Sequence, residues 1–133
     1  MYKNLSKKGS IYLFAKIAKS SLLFFLAGLA EIGGGYFIWI WLKNDAGIIW
    51  GLVGGLILII YGVIPTFQQF PSFGRIYAAY GGVFIIMSIL WGWWIDGVKP
   101  DSYDWLGTTI GLIGTAIILW APRKETGTEG EGN

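Results

Sequence analysis

The sequence contains neither cysteine nor histidine among its 133 residues. Their absence excludes disulfide bonds, thiol nucleophiles and imidazole bases, and it removes the ligands from which most zinc sites are built. We therefore predict no metal site and no cofactor. An enzyme is not expected either, because the apolar segments offer no nucleophile, no metal ligand set and no pair of carboxylates.

Charged residues are scarce as well: they make up 14% of the chain, whereas hydrophobic residues make up 54%. So few charges cannot cover the surface of a soluble globular protein of this size. The composition therefore indicates a membrane protein with lipids as partners. The basic residues are not interleaved with aromatic ones as on a nucleic-acid-binding surface, so no nucleic-acid partner is expected.

Four apolar segments are each close to the roughly 20 residues that a helix needs to cross a bilayer. They lie at about residues 21–42, 46–67, 76–95 and 105–121. Because lipid cannot satisfy backbone hydrogen bonds, each segment is predicted to be an α-helix. The connections are short and make neighbouring helices antiparallel. The predicted fold class is an all-α membrane protein with four transmembrane helices.

The chain is predicted to be one transmembrane domain, residues 21–123, with two flanking segments. Residues 1–20 form a basic extension, which is either a short amphipathic helix on the membrane surface or a frayed start of the first helix. A lysine-rich start before an apolar run also resembles a signal peptide, but the run continues for a full span, as in a retained helix. Residues 124–133 are rich in Gly and Glu and are predicted to be disordered.

Basic residues in the extension and loops predict the orientation in the cell membrane. Eight of them lie on the side of the two termini, and only Lys43 and Lys99 lie on the other side. Since cytoplasmic loops carry the excess of Lys and Arg, both termini are predicted to be cytoplasmic. Most tryptophans lie near the opposite ends of the helices, as in an interfacial aromatic belt.

Glu31 is the one ionisable acid or base within the four predicted spans, and it is the eleventh of 22 residues in the first. A charge near the bilayer midplane costs about 2.5–3.5 kcal/mol on insertion scales, so Glu31 is expected to face a protein interior or a cavity. A carboxylate there can exchange a proton for a cation. The alternative is a protonated, purely structural Glu31 that hydrogen-bonds a neighbouring helix.

Small residues one turn from Glu31 favour the functional interpretation, because they leave room for a guest or for another helix. They are the predicted pocket-lining residues Ala27, Gly28, Gly34 and Gly35. On the third helix, Tyr77 and Tyr80 are spaced to share a face, and aromatic rings beside an acid attract organic cations. The fourth helix carries a stripe of small residues suited to close helix packing, namely Gly107, Gly111 and Gly114.

Three segments carry a family resemblance: LLFFLAGLAEIGGGYFIWIWLK, GRIYAAYGGVFI and DGVKPDSYDWLG. They look like the YnfA-type small integral membrane proteins, in a match over about residues 20–123. That group resembles, more distantly, the small multidrug resistance transporters, which have four helices and one essential glutamate in helix 1 and work as antiparallel dimers. The resemblance implies a similar bundle that forms a dimer.

Residue by residue, the resemblance implies that Glu31 in AEIG is the shared proton and cation site. Tyr77 matches the transporters' binding-site tyrosine, and Tyr80 stands where they usually have tryptophan. The fourth helix would pack against a second copy. Because the basic residues are strongly biased to one side, three options stay open: an antiparallel homodimer, a fixed orientation, or a partner inserted oppositely.

Two functions follow as hypotheses. The first is a proton-coupled exporter of small cationic or hydrophobic compounds, in which protons and substrate compete for Glu31. The second is a non-transporting membrane subunit or scaffold, in which Glu31 is a buried structural acid and the glycine faces dock a larger partner.

Overall fold

The computed structural model describes residues 2–69 and 72–123, and all regular structure in this part of the chain is helical. The four α-helices are α1 (Tyr2–Lys43), α2 (Ile48–Val63), α3 (Phe73–Trp94) and α4 (Ser102–Trp120). A short 3₁₀ helix, Ile64–Phe67, follows α2. The predicted all-helical class is confirmed, whereas the tail 124–133 lies outside the described residues.

Three segments are long and apolar enough to cross a membrane: Ser6–Lys43, Ile48–Phe67 and Phe73–Trp94. The fourth helix, α4, has 19 residues, which corresponds to about 28 Å. It carries three threonines and three glycines among its apolar residues, and it is not one of these three candidate spans. That α4 also spans the bilayer therefore stays a prediction.

The first helix starts earlier than the predicted span. The segment 2–20 is helical and continuous with the rest of α1, which has 42 residues, and its location on the membrane surface stays a prediction. At about 1.5 Å per residue α1 is about 63 Å long, roughly twice the hydrocarbon thickness of a bilayer. The sequence LFAKIAKSS offers no proline or glycine that would interrupt the helix between Leu13 and Ser21.

The ends of the other helices follow from local chemistry. The α-helical part of α2 stops at Val63, and Pro65, which has no N–H to donate, lies at the start of the 3₁₀ helix. A capping box opens α4: Asp101 accepts hydrogen bonds from Tyr103 N at 2.8 Å and Asp104 N at 2.9 Å, and Asp104 accepts from Asp101 N.

In the described residues α1 packs against both α2 and α3, whereas α4 packs against α3. Tyr61 of α2 also meets Phe84 of α3 at 5.9 Å between ring centroids, so α1, α2 and α3 surround a common groove. Few side chains are buried, and the core is the small cluster of Ala27, Ile76 and Tyr80. Large apolar side chains cover the outside, as expected where lipid is the solvent.

The closest contact between backbones joins α1 to α2. A Cβ added to Gly54 would lie 2.6 Å from the carbonyl oxygen of Gly34, and one added to Gly34 would lie 3.0 Å from that of Gly54. Similar close packing joins Gly28 to Met87 and Gly82 to Thr115. Small residues thus set the distances between helices, as is common in membrane proteins.

Replacing Gly54 with Val forces α1 and α2 apart, because no side-chain movement can relieve a clash with the Gly34 carbonyl. We expect the free energy of unfolding to fall by about 1–3 kcal/mol, measured by denaturation of the detergent-solubilised protein. Gly55→Val is the matched control, since a Cβ there meets no atom within 4 Å. Equal destabilisation by the two changes would contradict the proposed close contact.

Candidate functional site

Glu31 lies in the middle of the membrane-spanning part of α1, between the contacts of this helix with α2 and α3. One turn before it, Ala27 packs into the core cluster with Tyr80 of α3. Three residues after it, Gly34 touches α2. Since residues three and four apart share a helix face, Glu31 is directed towards the groove where α1, α2 and α3 meet.

The Glu31 side chain is half-buried. Within the described residues it forms no ion pair and no hydrogen bond. Its electrostatic neighbour is Tyr61 of α2, whose hydroxyl lies within range of the carboxylate. The carboxylate is therefore in an environment of aromatic hydroxyls and apolar atoms without a compensating cation.

Tyr61 was missed by the sequence analysis, although a signal was present: it carries the only side-chain hydroxyl in the apolar helix α2. It lies within electrostatic range of Tyr77 of α3. The ring centroids of Tyr77 and Tyr80 are 5.9 Å apart, and a shared binding role for the two stays a prediction. The three tyrosines come from two helices and converge on the groove beside Glu31.

Tyr80 is fully buried, whereas Tyr77 is 36% exposed. The Tyr80 ring stacks on Phe84 at 5.6 Å and meets Phe24 edge-to-face at 4.8 Å. Its hydroxyl has no partner at hydrogen-bonding geometry among the described residues, although Gln68 interacts with it electrostatically. Tyr77 is thus the accessible member of the pair, and Tyr80 is the one that shapes the core.

The small residues around Glu31 have different surroundings. Gly28 packs against Met87 and Phe84, and Gly34 packs against Leu58 and Gly54, so both are helix-packing positions within this chain, and their predicted pocket-lining role stays a prediction. Ala27 is fully buried in the core. Of the four, only Gly35 faces open space, because a Cβ at this position would meet no atom within 4 Å.

Gly35 lines a shallow depression of about 260 Å³ on the Lys43 side of the protein. Its other lining residues are Ile32, Tyr36, Trp39, Trp91 and Asp96. Tyr36 and Trp91 meet edge-to-face at 5.4 Å, and the indole N–H of Trp91 is buried without a partner in the described residues. Aromatic rings beside a carboxylate form the kind of surface that binds organic cations.

The glycines of α4 have mixed surroundings. A Cβ at Gly107 or Gly114 would meet no atom within 4 Å, whereas Gly111 faces Ile85 of α3. Apolar side chains such as Ile110, Ile113 and Ile117 are exposed on the same helix. The stripe is therefore open at both ends, and its predicted role in packing against a second copy stays a prediction.

Comparisons with known proteins give a consistent picture. The profile of the family described as "Uncharacterised BCR, YnfA/UPF0060 family" matches residues 17–124. A "UPF0060 membrane protein" from Desulfitobacterium hafniense is 63% identical over 103 residues, which is 77% of this chain and 95% of the relative. One from Halalkalibacterium halodurans is 64% identical over 104 residues, 78% of this chain and 96% of the relative. No solved structure matches.

The link between Tyr61 and Tyr77 predicts a specific pattern in a double-mutant cycle. Tyr61→Phe and Tyr77→Phe should each lower the free energy of unfolding, by about 0.6 kcal/mol and at most about 1.7 kcal/mol. The double variant should cost less than the sum of the two single variants, since each single change already removes the interaction between the two hydroxyls. Tyr61→Phe combined with Tyr103→Phe is the control, because exposed Tyr103 is remote and the effects should add.

Proposed function

Because the chain belongs to the YnfA/UPF0060 family of membrane proteins, we propose that it is a proton-coupled exporter of small organic cations or hydrophobic compounds. Glu31 would be the site that binds either a proton or the substrate. The observation that carries the proposal is a carboxylate near the middle of the predicted span that has no cation partner among the described residues and lies within electrostatic range of Tyr61, which itself neighbours Tyr77 and Tyr80.

The energetics favour a site that is completed by a ligand. A charged carboxylate in mid-membrane costs a few kcal/mol, and in the described residues no Lys or Arg offsets this cost. Two states remove the penalty: a proton on the carboxylate, or a bound cation beside it. These states exclude one another, so cation binding releases one proton from Glu31, and protonation releases the cation.

The tyrosines suit the same class of substrate. The exposed Tyr77 offers a ring face to an organic cation, and cation–π contacts are worth about 0.5–2 kcal/mol. Tyr61 lies within electrostatic range of both Tyr77 and Glu31, so the three side chains are neighbours in the groove. A structural acid would need one hydrogen-bond partner, and no such bond from Glu31 is found in the described residues.

The depression that contains Asp96 supplies a second contact for a cation leaving on the Lys43 side. Gly35 lies one turn from Glu31 and borders this depression, so the two places are neighbours along α1. With both termini in the cytoplasm, the depression would open to the outside, and the direction of transport would be export.

The proposal includes a four-span fold and a dimer in the cell membrane. In one chain α4 packs against α3 alone among the main helix contacts and carries an exposed apolar face and open glycines, so a second copy could pack there. A dimer would also bring a second Glu31 into the assembly. The orientation of the two copies, antiparallel or parallel, is left to experiment.

The first test is proton release from detergent-purified protein when candidate organic cations are added. Wild type should release protons in a saturable manner, and Glu31→Gln should release none, because the amide cannot lose a proton to an incoming cation. Cation affinity of the wild type should fall as the pH is lowered, since protons compete for the carboxylate.

Two results would contradict the exporter. One is an absence of proton release from folded wild type across a broad panel of cations. The other is normal release from Glu31→Gln. If, in addition, Glu31→Gln abolished the assembly of the protein while wild type released no protons, the scaffold function would be the better description.

Asp96 gives a separate prediction. Asp96→Asn should weaken the binding of a monovalent organic cation by up to about fivefold, because an exposed charge pair is worth about 0.2–1 kcal/mol. Isothermal titration would measure it. Asp45→Asn removes an equal charge from a loop on the same side without touching the depression, and it should leave the affinity unchanged. An equal loss of affinity in the two variants would mean that net charge, and not a contact with Asp96, determines cation binding, and it would contradict this prediction.

A further inference from the structure

A second concave surface lies on the opposite side of the protein, far from Asp96. It is a cleft of about 800 Å³ between the N-terminal part of α1 and the segment that follows α2. Lys16 and Lys19 contribute the charged side chains, and Gln68 and Gln69 contribute amides. The proposed transport function makes no use of these residues.

The cleft is held together by a pair of hydrogen bonds. Ser20 Oγ donates to Gln68 Oε1 at 2.9 Å, and Gln68 Nε2 donates to the Ser20 carbonyl oxygen at 3.2 Å. These bonds fix the segment that follows the 3₁₀ helix against α1. The Gln68 amide is thereby positioned relative to Lys16 and Lys19. The site is therefore built by tertiary contacts and does not depend on a single helix.

The depth of the cleft in the membrane follows from helix geometry. If Lys43 marks one boundary of the hydrocarbon core, a thickness of about 30 Å places the other boundary about 20 residues earlier, near Leu23. The headgroup layer adds about 5–8 Å, which corresponds to about three to five residues and includes Lys19. Lys16 lies one turn farther out.

The chemistry of the cleft changes with depth in the membrane. Leu23 and Phe67 lie at its inner end and are apolar, whereas Lys16, Lys19 and the amides lie at its outer end. The first thirty residues contain five lysines and no acid, so nothing in the local sequence neutralises the two ammonium groups. An occupant should therefore combine an anionic head with an apolar tail.

We propose that the cleft between Lys16, Lys19 and Gln68 binds one anionic phospholipid. Its phosphate lies between the two ammonium groups, its headgroup hydroxyls meet the amides, and one acyl chain runs along Leu23 and Phe67. The family profile begins at residue 17. Tyr12, Leu13 and Lys16 of the cleft therefore lie outside the matched segment, and the site is a feature that the N-terminal extension adds to the shared fold.

The test uses full-length protein in detergent, incubated with mixed phosphatidylglycerol and phosphatidylcholine and then re-isolated so that the retained lipids can be counted. Wild type should retain about one phosphatidylglycerol per chain in preference to phosphatidylcholine. Lys16→Gln combined with Lys19→Gln should reduce this preference by roughly thirtyfold, since each lysine near a lipid surface contributes about a fivefold factor.

The matched control is Lys7→Gln combined with Lys8→Gln. It removes the same charge from the same helix, about 17 Å or more from Lys19 and beyond the roughly 8–10 Å screening length. This variant should retain phosphatidylglycerol as wild type does. Circular dichroism should show equal helix content in both variants, and proton release through Glu31 should be unchanged in both.

Three outcomes would overturn the proposal. The first is equal retention of the two lipids by wild type, and the second is an equal loss in the two double variants, which would mean diffuse attraction. The third is displacement of phosphatidylglycerol by millimolar inorganic phosphate, which would identify a site for soluble anions. Because proton release through Glu31 is measured separately, a negative result in the lipid experiment would leave the exporter proposal intact.

Discussion

The arrangement of the helices depends on the close contact between the backbones of Gly34 and Gly54. In a bilayer, apolar side chains gain nothing by leaving lipid for protein, so helices associate through close packing. This contact brings α2 against α1 only three residues from Glu31, and it thereby brings Tyr61 within electrostatic range of the carboxylate. The same glycine that allows the helices to meet thus determines what the acid faces.

Buried polar groups without partners lie on both sides of this acid. Within the described residues, the Tyr80 hydroxyl lacks a partner towards the Ser20 side, and the Trp91 indole N–H lacks one towards the Lys43 side. Unsatisfied donors are costly where no water is present, so natural proteins keep few of them. The Tyr80 hydroxyl and the Trp91 indole N–H are two such groups in the described residues.

The sequence predicted the helical class and the short connections, because hydropathy is a strong signal in membrane proteins. It also singled out Glu31 as an isolated acid, and the role of that residue stays a prediction. It could also have given the start of α4, since Asp101 and Asp104 have capping-box spacing. The sequence could not show which glycines contact a neighbouring helix. Gly28, Gly34 and Gly35 look alike in sequence, yet two pack against helices and one is open. Tyr61 and Tyr77 come together only through tertiary packing.

The continuity of α1 has a mechanical consequence. Because the helix is unbroken from Tyr2 to Lys43, the residues outside the bilayer and the residues around Glu31 move as one stiff rod. If the predicted span 21–42 marks the membrane-embedded part, about 20 residues extend beyond it, so a tilt of about 10° moves the N-terminal end by about 5 Å. Any force applied to the extension is therefore transmitted directly to the angle at which Glu31 meets its tyrosines, without a flexible joint to absorb it.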